Sequence, residues 1–136
     1  MTSLLSLDDI EAALSGGGLT VRRQVDDAGT TELCVEAEDA LPVLVRLDSA
    51  RQVVTWFCAW QFEDRDELAR LQFANRMNDA RLMVRFCVPA PDVLWCDHQQ
   101  AFGTTLPADA LLQAYRTFAR VCFSIPDFDE AGLLAE

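Results

Sequence analysis

Apolar residues along this chain switch between two spacings. Leu7, Ile10 and Leu14 recur at helical intervals behind Ser6, with Asp8 and Asp9 in the first turn, where a helix dipole favours acids; Gly16-Gly17-Gly18 follows as a stop. A short first helix is predicted. From Leu19 the pattern turns to extended chain over 19–25, 32–38, 42–48 and 52–62. Asp26-Asp27-Ala28-Gly29 and Asp48-Ser49-Ala50-Arg51 are turns short enough to make the neighbouring strands antiparallel. Glu63-Asp64 opens a second helix that runs to about Asn78. Two further strands, 82–88 and 93–101, joined by Pro89-Ala90-Pro91-Asp92, precede a last helix that begins at Pro107 and stops at Pro126. On that helix Leu111, Ala114, Tyr115, Phe118, Val121, Cys122 and Ile125 share one side, opposite Gln113, Arg116, Thr117 and Arg120.

These elements predict a single α+β domain over 1–126, an antiparallel sheet of about five strands with helices mainly on one face, in the order α-β-β-β-(β)-α-β-β-α. Residues 127–136 form a short acidic tail, expected to fray unless Leu133 and Leu134 dock.

Alternation along an extended strand sends Val54, Trp56, Cys58, Trp60 and Phe62 one way and Val53, Thr55, Phe57, Ala59 and Gln61 the other. The first set reads as core. The second, with Met83, Arg85 and Cys87 from one neighbour and Trp95 and Asp97 from another, is too apolar for bulk solvent and suits an intermolecular surface. Homodimerisation is the economical reading, and cover by a loop or by the acidic tail is the alternative.

The second helix poses a puzzle in Phe73-Ala74-Asn75-Arg76-Met77-Asn78-Asp79. At about 100° per residue, Leu68, Leu71, Asn75 and Asn78 lie in one sector, while Phe73 and Met77 fall opposite. This arithmetic predicts that Asn75 is at least half-buried and hydrogen-bonded to neighbouring backbone, because an unpaired buried amide is costly. Asn78 is expected to end the helix. Phe73 and Met77 then form a small apolar ridge that either meets a partner chain or packs within its own.

An N-x-x-N pair, Asn75 and Asn78, closing a central helix ahead of a hairpin and a long terminal helix resembles the pattern of bacterial YbjN-domain proteins. The resemblance runs from the first helix through Val53-Val54-Thr55-Trp56-Phe57 to the helix ending near Ile125. It implies a type III secretion chaperone-like fold, which commonly forms homodimers, and a role as a sensory transduction regulator. The chain departs from the family pattern in its three tryptophans and five cysteines.

At 136 residues, 51% of them hydrophobic, the chain can bury one core. With 11 basic against 22 acidic residues its net charge is −11, which disfavours nucleic acid and anionic membrane surfaces as partners. The amino terminus lacks a basic signal-like region and no apolar run reaches membrane-spanning length, so a cytoplasmic location is expected.

Cys34, Cys58, Cys87, Cys96 and Cys122 are odd in number and contain no C-x-x-C pair, so they read as small buried hydrophobes in a reducing compartment. His98 shares a strand face with Cys96 while Asp97 points away; two ligands do not make a metal site, and Cys58 or Cys87 would join only if strand register aligned them. The acidic groups Glu36-Ala37-Glu38-Asp39 and Asp64-Arg65-Asp66-Glu67 sit at element ends and read as solvated, and Gly16-Gly17-Gly18 lacks phosphate-loop spacing.

No catalytic residue, cofactor or metal site is therefore expected. The expected function is that of a non-enzymatic regulator binding another protein, with Phe57, Phe73, Met77, Met83, Arg85 and Trp95 as candidate contact residues and Asn75 and Asn78 in structural roles. A secretion chaperone-like protein holding an extended effector segment is the alternative.

Overall fold

A computed structural model describes residues 3–36, 41–63, 66–80, 84–129 and 132–135. The order is α1 (Leu7–Gly16), β1 (Thr20–Val25), β2 (Thr31–Glu36), β3 (Val43–Asp48), β4 (Val53–Gln61), α2 (Glu67–Ala80), β5 (Arg85–Ala90), β6 (Val93–Ala101) and α3 (Ala108–Ser124), closed by a short 3-10 turn at Ile125–Phe128. The strands form one antiparallel sheet of six in the order β1-β2-β3-β4-β6-β5. This is the expected α+β architecture with one strand more than the count of about five.

Local chemistry explains the element ends. Ser6 accepts a hydrogen bond from the Asp9 amide while the Asp9 carboxylate accepts from the Ser6 amide, a reciprocal cap that starts α1. After α1, a Cβ at Gly17 would meet the Leu112 side chain of α3, which would have to shift, and Gly18 takes φ +88°, which glycine adopts without strain. The Asp26 carboxylate accepts from the Ala28 and Thr30 amides and shapes the β1–β2 turn.

The core lies between one sheet face and the helices. Leu33, Val35, Val43, Val45, Val54, Trp56, Cys58, Leu94 and Cys96 contribute from the sheet; Ile10, Leu14, Leu111, Phe118 and Cys122 contribute from α1 and α3. Tyr115 meets Trp56 with ring centroids 6.4 Å apart, and the edge of one ring of Phe62 and Phe73 faces the other at the same 6.4 Å. The predicted alternation of β4 is observed: Val54, Trp56, Cys58, Trp60 and Phe62 are all buried on the helix side.

The expectations for the face and end of α2 and for the β5–β6 turn are corrected. In α2 the buried side holds Phe73, Ala74 and Met77, whereas Leu68 and Leu71 are 64% and 43% exposed and Asn75 is exposed. The rings and thioether are larger than the leucines' competing stripe, and apolar residues surround α2 on most sides, so packing chose the heavier face. Phe73 and Met77 therefore pack within the chain. Asn78 does not end α2, which continues to Ala80.

β5 runs through Pro89 to Ala90, and the hairpin turns at Pro91-Asp92, because a register shift between Cys87 and Ala90 accommodates the proline on an edge strand. The N-cap position of α3 is Pro107. Met83, Glu38, Asp39, Asp64 and the predicted start of the strand at Leu82 lie outside the described residues.

Of the two outcomes considered for the tail, docking is observed. Leu133 and Leu134 are buried, Leu134 bridges to Phe62, and the Asp129 carboxylate accepts from both leucine amides at 2.7 and 2.9 Å. The Glu63 amide donates to the Leu133 carbonyl and the Ala135 amide to the Gln61 carbonyl, so the described part of the tail extends the end of β4.

Candidate functional site

The sheet face turned away from the helices carries a connected row of charged and aromatic side chains. Cross-strand register aligns Leu44 with Phe57 and Phe57 with Asp97, and pairs Asp97 in turn with Arg85; Ala59 and Cys87 both pair with Trp95. On β2, Glu32 is 2% exposed, and its two carboxylate oxygens accept from Arg46 Nε at 3.0 Å and Gln24 Nε2 at 2.8 Å. Both hydrogen-bonding oxygens are engaged, which is what a buried carboxylate requires.

Arg46 also reaches Asp26 at 3.1 Å and lays its guanidinium 4.5 Å from the centre of the Phe57 ring. Phe57 stacks on Trp95, centroids 4.6 Å apart and planes within 18°. The Trp95 indole donates to Asp97 at 2.8 Å, and Arg85 donates to the same carboxylate oxygen at 2.7 Å. Each link is worth on the order of 1 kcal/mol, and together they fix the face as a rigid relief.

The sequence-predicted residues divide on this geometry. Phe57, Arg85 and Trp95 share the face, as alternation required. Phe57 itself is only 2% exposed, because Arg46 and Trp95 cover it, so the accessible groups are the Arg85 side chain at 64%, the half-buried Trp95 and the exposed Ala59, Gln61 and Gln99. Phe73 and Met77 are on the other side of the sheet, in the core. The exposed leucines of α2, Leu68 and Leu71, form the apolar ridge the sequence had assigned to Phe73 and Met77.

Asn75 has no described backbone partner, whereas Asn78 holds the β5 edge: its Nδ2 donates to the Phe86 carbonyl at 2.8 Å and its Oδ1 accepts from the Phe86 amide at 2.6 Å.

A second cluster lies inside the core. Sequence reasoning left open whether register would bring Cys58 to Cys96; they are Cα partners across β4 and β6. Cys122 of α3 joins them, and the three sulfurs lie within 4.8 Å of one another, with Cys96 and Cys122 at 3.5 Å. All five cysteines are free thiols. Hydrogen bonding from Cys122 and Cys96 draws the Cys58 thiol down to about 5, whereas burial pushes Cys96 and Cys122 up. The convergence of Cys122 was missed because it depends on how α3 lies across the sheet, for which no local signal exists.

The chain belongs to the YbjN family: the family model, described as "putative bacterial sensory transduction regulator", matches residues 6–125. Among solved structures it is similar to YbjN from E. coli, described as a "putative transcription regulator", with TM-score 0.76 and 11% identity over the full length of both chains. At that identity the likeness speaks for the fold. No curated protein sequence matches the chain. No helix of the described residues is long and apolar enough to cross a membrane.

Proposed function

We propose that this YbjN-family chain is a non-enzymatic regulator that works in the cytoplasm as a homodimer and controls another protein by binding it. The observation that carries this reading is the sheet face on which no described helix packs. It presents Arg85, Trp95 and Ala59 on a backing already fixed by the Glu32, Arg46, Phe57 and Asp97 contacts, so little side-chain freedom is lost on docking. Trp and Arg are among the residue types that most often dominate protein interfaces. The net charge of −11 biases partner choice toward basic surfaces and against nucleic acid and anionic lipid.

The secretion chaperone-like alternative, in which an extended effector segment is held, is favoured by one feature. β1 is an edge strand of the sheet, to which an extended peptide would add in β-augmentation.

Affinity capture from the native host with three baits tests the proposal: wild type, Ala59→Glu on the sheet face, and Leu71→Asp on α2. A folded signalling or transcription component recovered by wild type and lost with Ala59→Glu supports the regulator reading. Recovery of extended secretion substrates that survive Ala59→Glu favours the chaperone. Equal recovery of the same partners by wild type and Ala59→Glu overturns the assignment to this face.

A further inference from the structure

We infer that Cys58, Cys96 and Cys122 form a three-sulfur binding site for a soft monovalent cation of the cuprous type. The site lies on the helix side of the sheet, opposite the face around Phe57. Three independent elements supply the ligands: β4, the β6 residue paired with it, and the last turn of α3. Three of the chain's five cysteines thus meet at one point, while Cys34 and Cys87 sit on the opposite sheet face.

A trigonal centre with metal–sulfur bonds of about 2.3 Å spaces its sulfurs about 4.0 Å apart. The observed triad, with Cys96 and Cys122 3.5 Å apart and all three sulfurs within 4.8 Å of one another, is close to that spacing. Side-chain rotations alone would complete it.

The donor set selects the ion. Thiolate sulfur prefers soft cations such as Cu(I). Zinc in structural sites takes four ligands, and among the described residues only these three metal-binding side chains converge here. All three cysteines are at most 1% exposed among Trp56, Phe118 and other apolar groups. Binding deprotonates the thiols that ligate, releases their protons to solvent, forms copper–sulfur bonds and changes no oxidation state. Since the sulfurs are closed off, the ion enters during folding or when α3 lifts transiently from the sheet.

The test uses the full chain without oxygen, with Cu(I) held reduced by ascorbate against a chromophoric cuprous chelator, both on the folded protein and during refolding. The expected result is one Cu(I) per chain. Its X-ray absorption should show three sulfur neighbours, and its affinity should fall on the order of tenfold or more in Cys122→Ala. The double variant Cys34→Ala, Cys87→Ala should bind as wild type does. If Cys122→Ala does not fold, the wild-type sulfur count and the double variant still decide. The inference is overturned by no uptake in either arm, by a sulfur count other than three, by loss of copper in the double variant, by unchanged affinity in a folded Cys122→Ala, or by zinc displacing the bound copper.

Discussion

The Asn78 carboxamide pairs with both backbone groups of Phe86, donating at 2.8 Å and accepting at 2.6 Å, and so takes the place of a missing strand at the edge of the sheet. β5 is the last strand, and this contact both blunts its edge and ties α2 to it. Replacing Asn78 with Leu should lower stability by about 2 kcal/mol, since two hydrogen bonds are lost and partly buried backbone groups are left unpaired. Asn75→Leu, at an exposed position, should change stability by less than about 0.5 kcal/mol. Urea unfolding of the two variants checks the contrast; equal losses would contradict it.

Glu32 and Arg46 give a second test. Arg46→Ala should cost about 2 kcal/mol, because it leaves a carboxylate that is almost wholly buried without its cation. Adding Glu32→Leu should recover a large part of that loss. A double-mutant cycle by chemical denaturation measures it, and additive losses would mean that the carboxylate finds another partner.

The buried and exposed sides of α2 should respond oppositely. Phe73→Ala should destabilise by about 3–5 kcal/mol and Met77→Ala by about 2–5 kcal/mol, as cavity-forming changes do. Leu68→Ala and Leu71→Ala should fall within about 0.5 kcal/mol of wild type. Thermal unfolding of the four variants is decisive, and a reversed order would restore the orientation that simple helical periodicity gives.

Truncation after Asp129 removes two buried leucines and their pairing with the end of β4. The shortened chain should lose about 3 kcal/mol, the burial value of two partly engaged leucine side chains. Asp129→Ala, which keeps the leucines but removes the acceptor for both amides, should cost about 1–2 kcal/mol. A truncation with wild-type stability would show that the tail contributes nothing to folding.

What could be read from the residues followed from where the physical signal is local. The Ser6 cap, the alternation of β4 and the apolar side of α3 each rest on contiguous spacing, and all three are present in the structure. The face of α2 was not legible, because apolar residues surround that helix and only packing against Phe62 picks the Phe73 side. Asn78 was recognised as special but given the wrong task, since its partner Phe86 lies on a strand whose course depends on the sheet. The thiol triad was beyond local reading altogether. β4 and β6 are neighbours in the sheet yet separated in sequence by α2 and β5, so their register is set by the closed fold.

The central claim, that the sheet face around Trp95 is a binding surface used first for a second copy of the chain, is tested most directly by sedimentation equilibrium at micromolar concentration. Wild type should sediment as a dimer and Ala59→Glu, which places like charges on the exposed neighbour of Trp95, as a folded monomer. A monomeric wild type, or a dimer that Ala59→Glu leaves intact, would contradict the account.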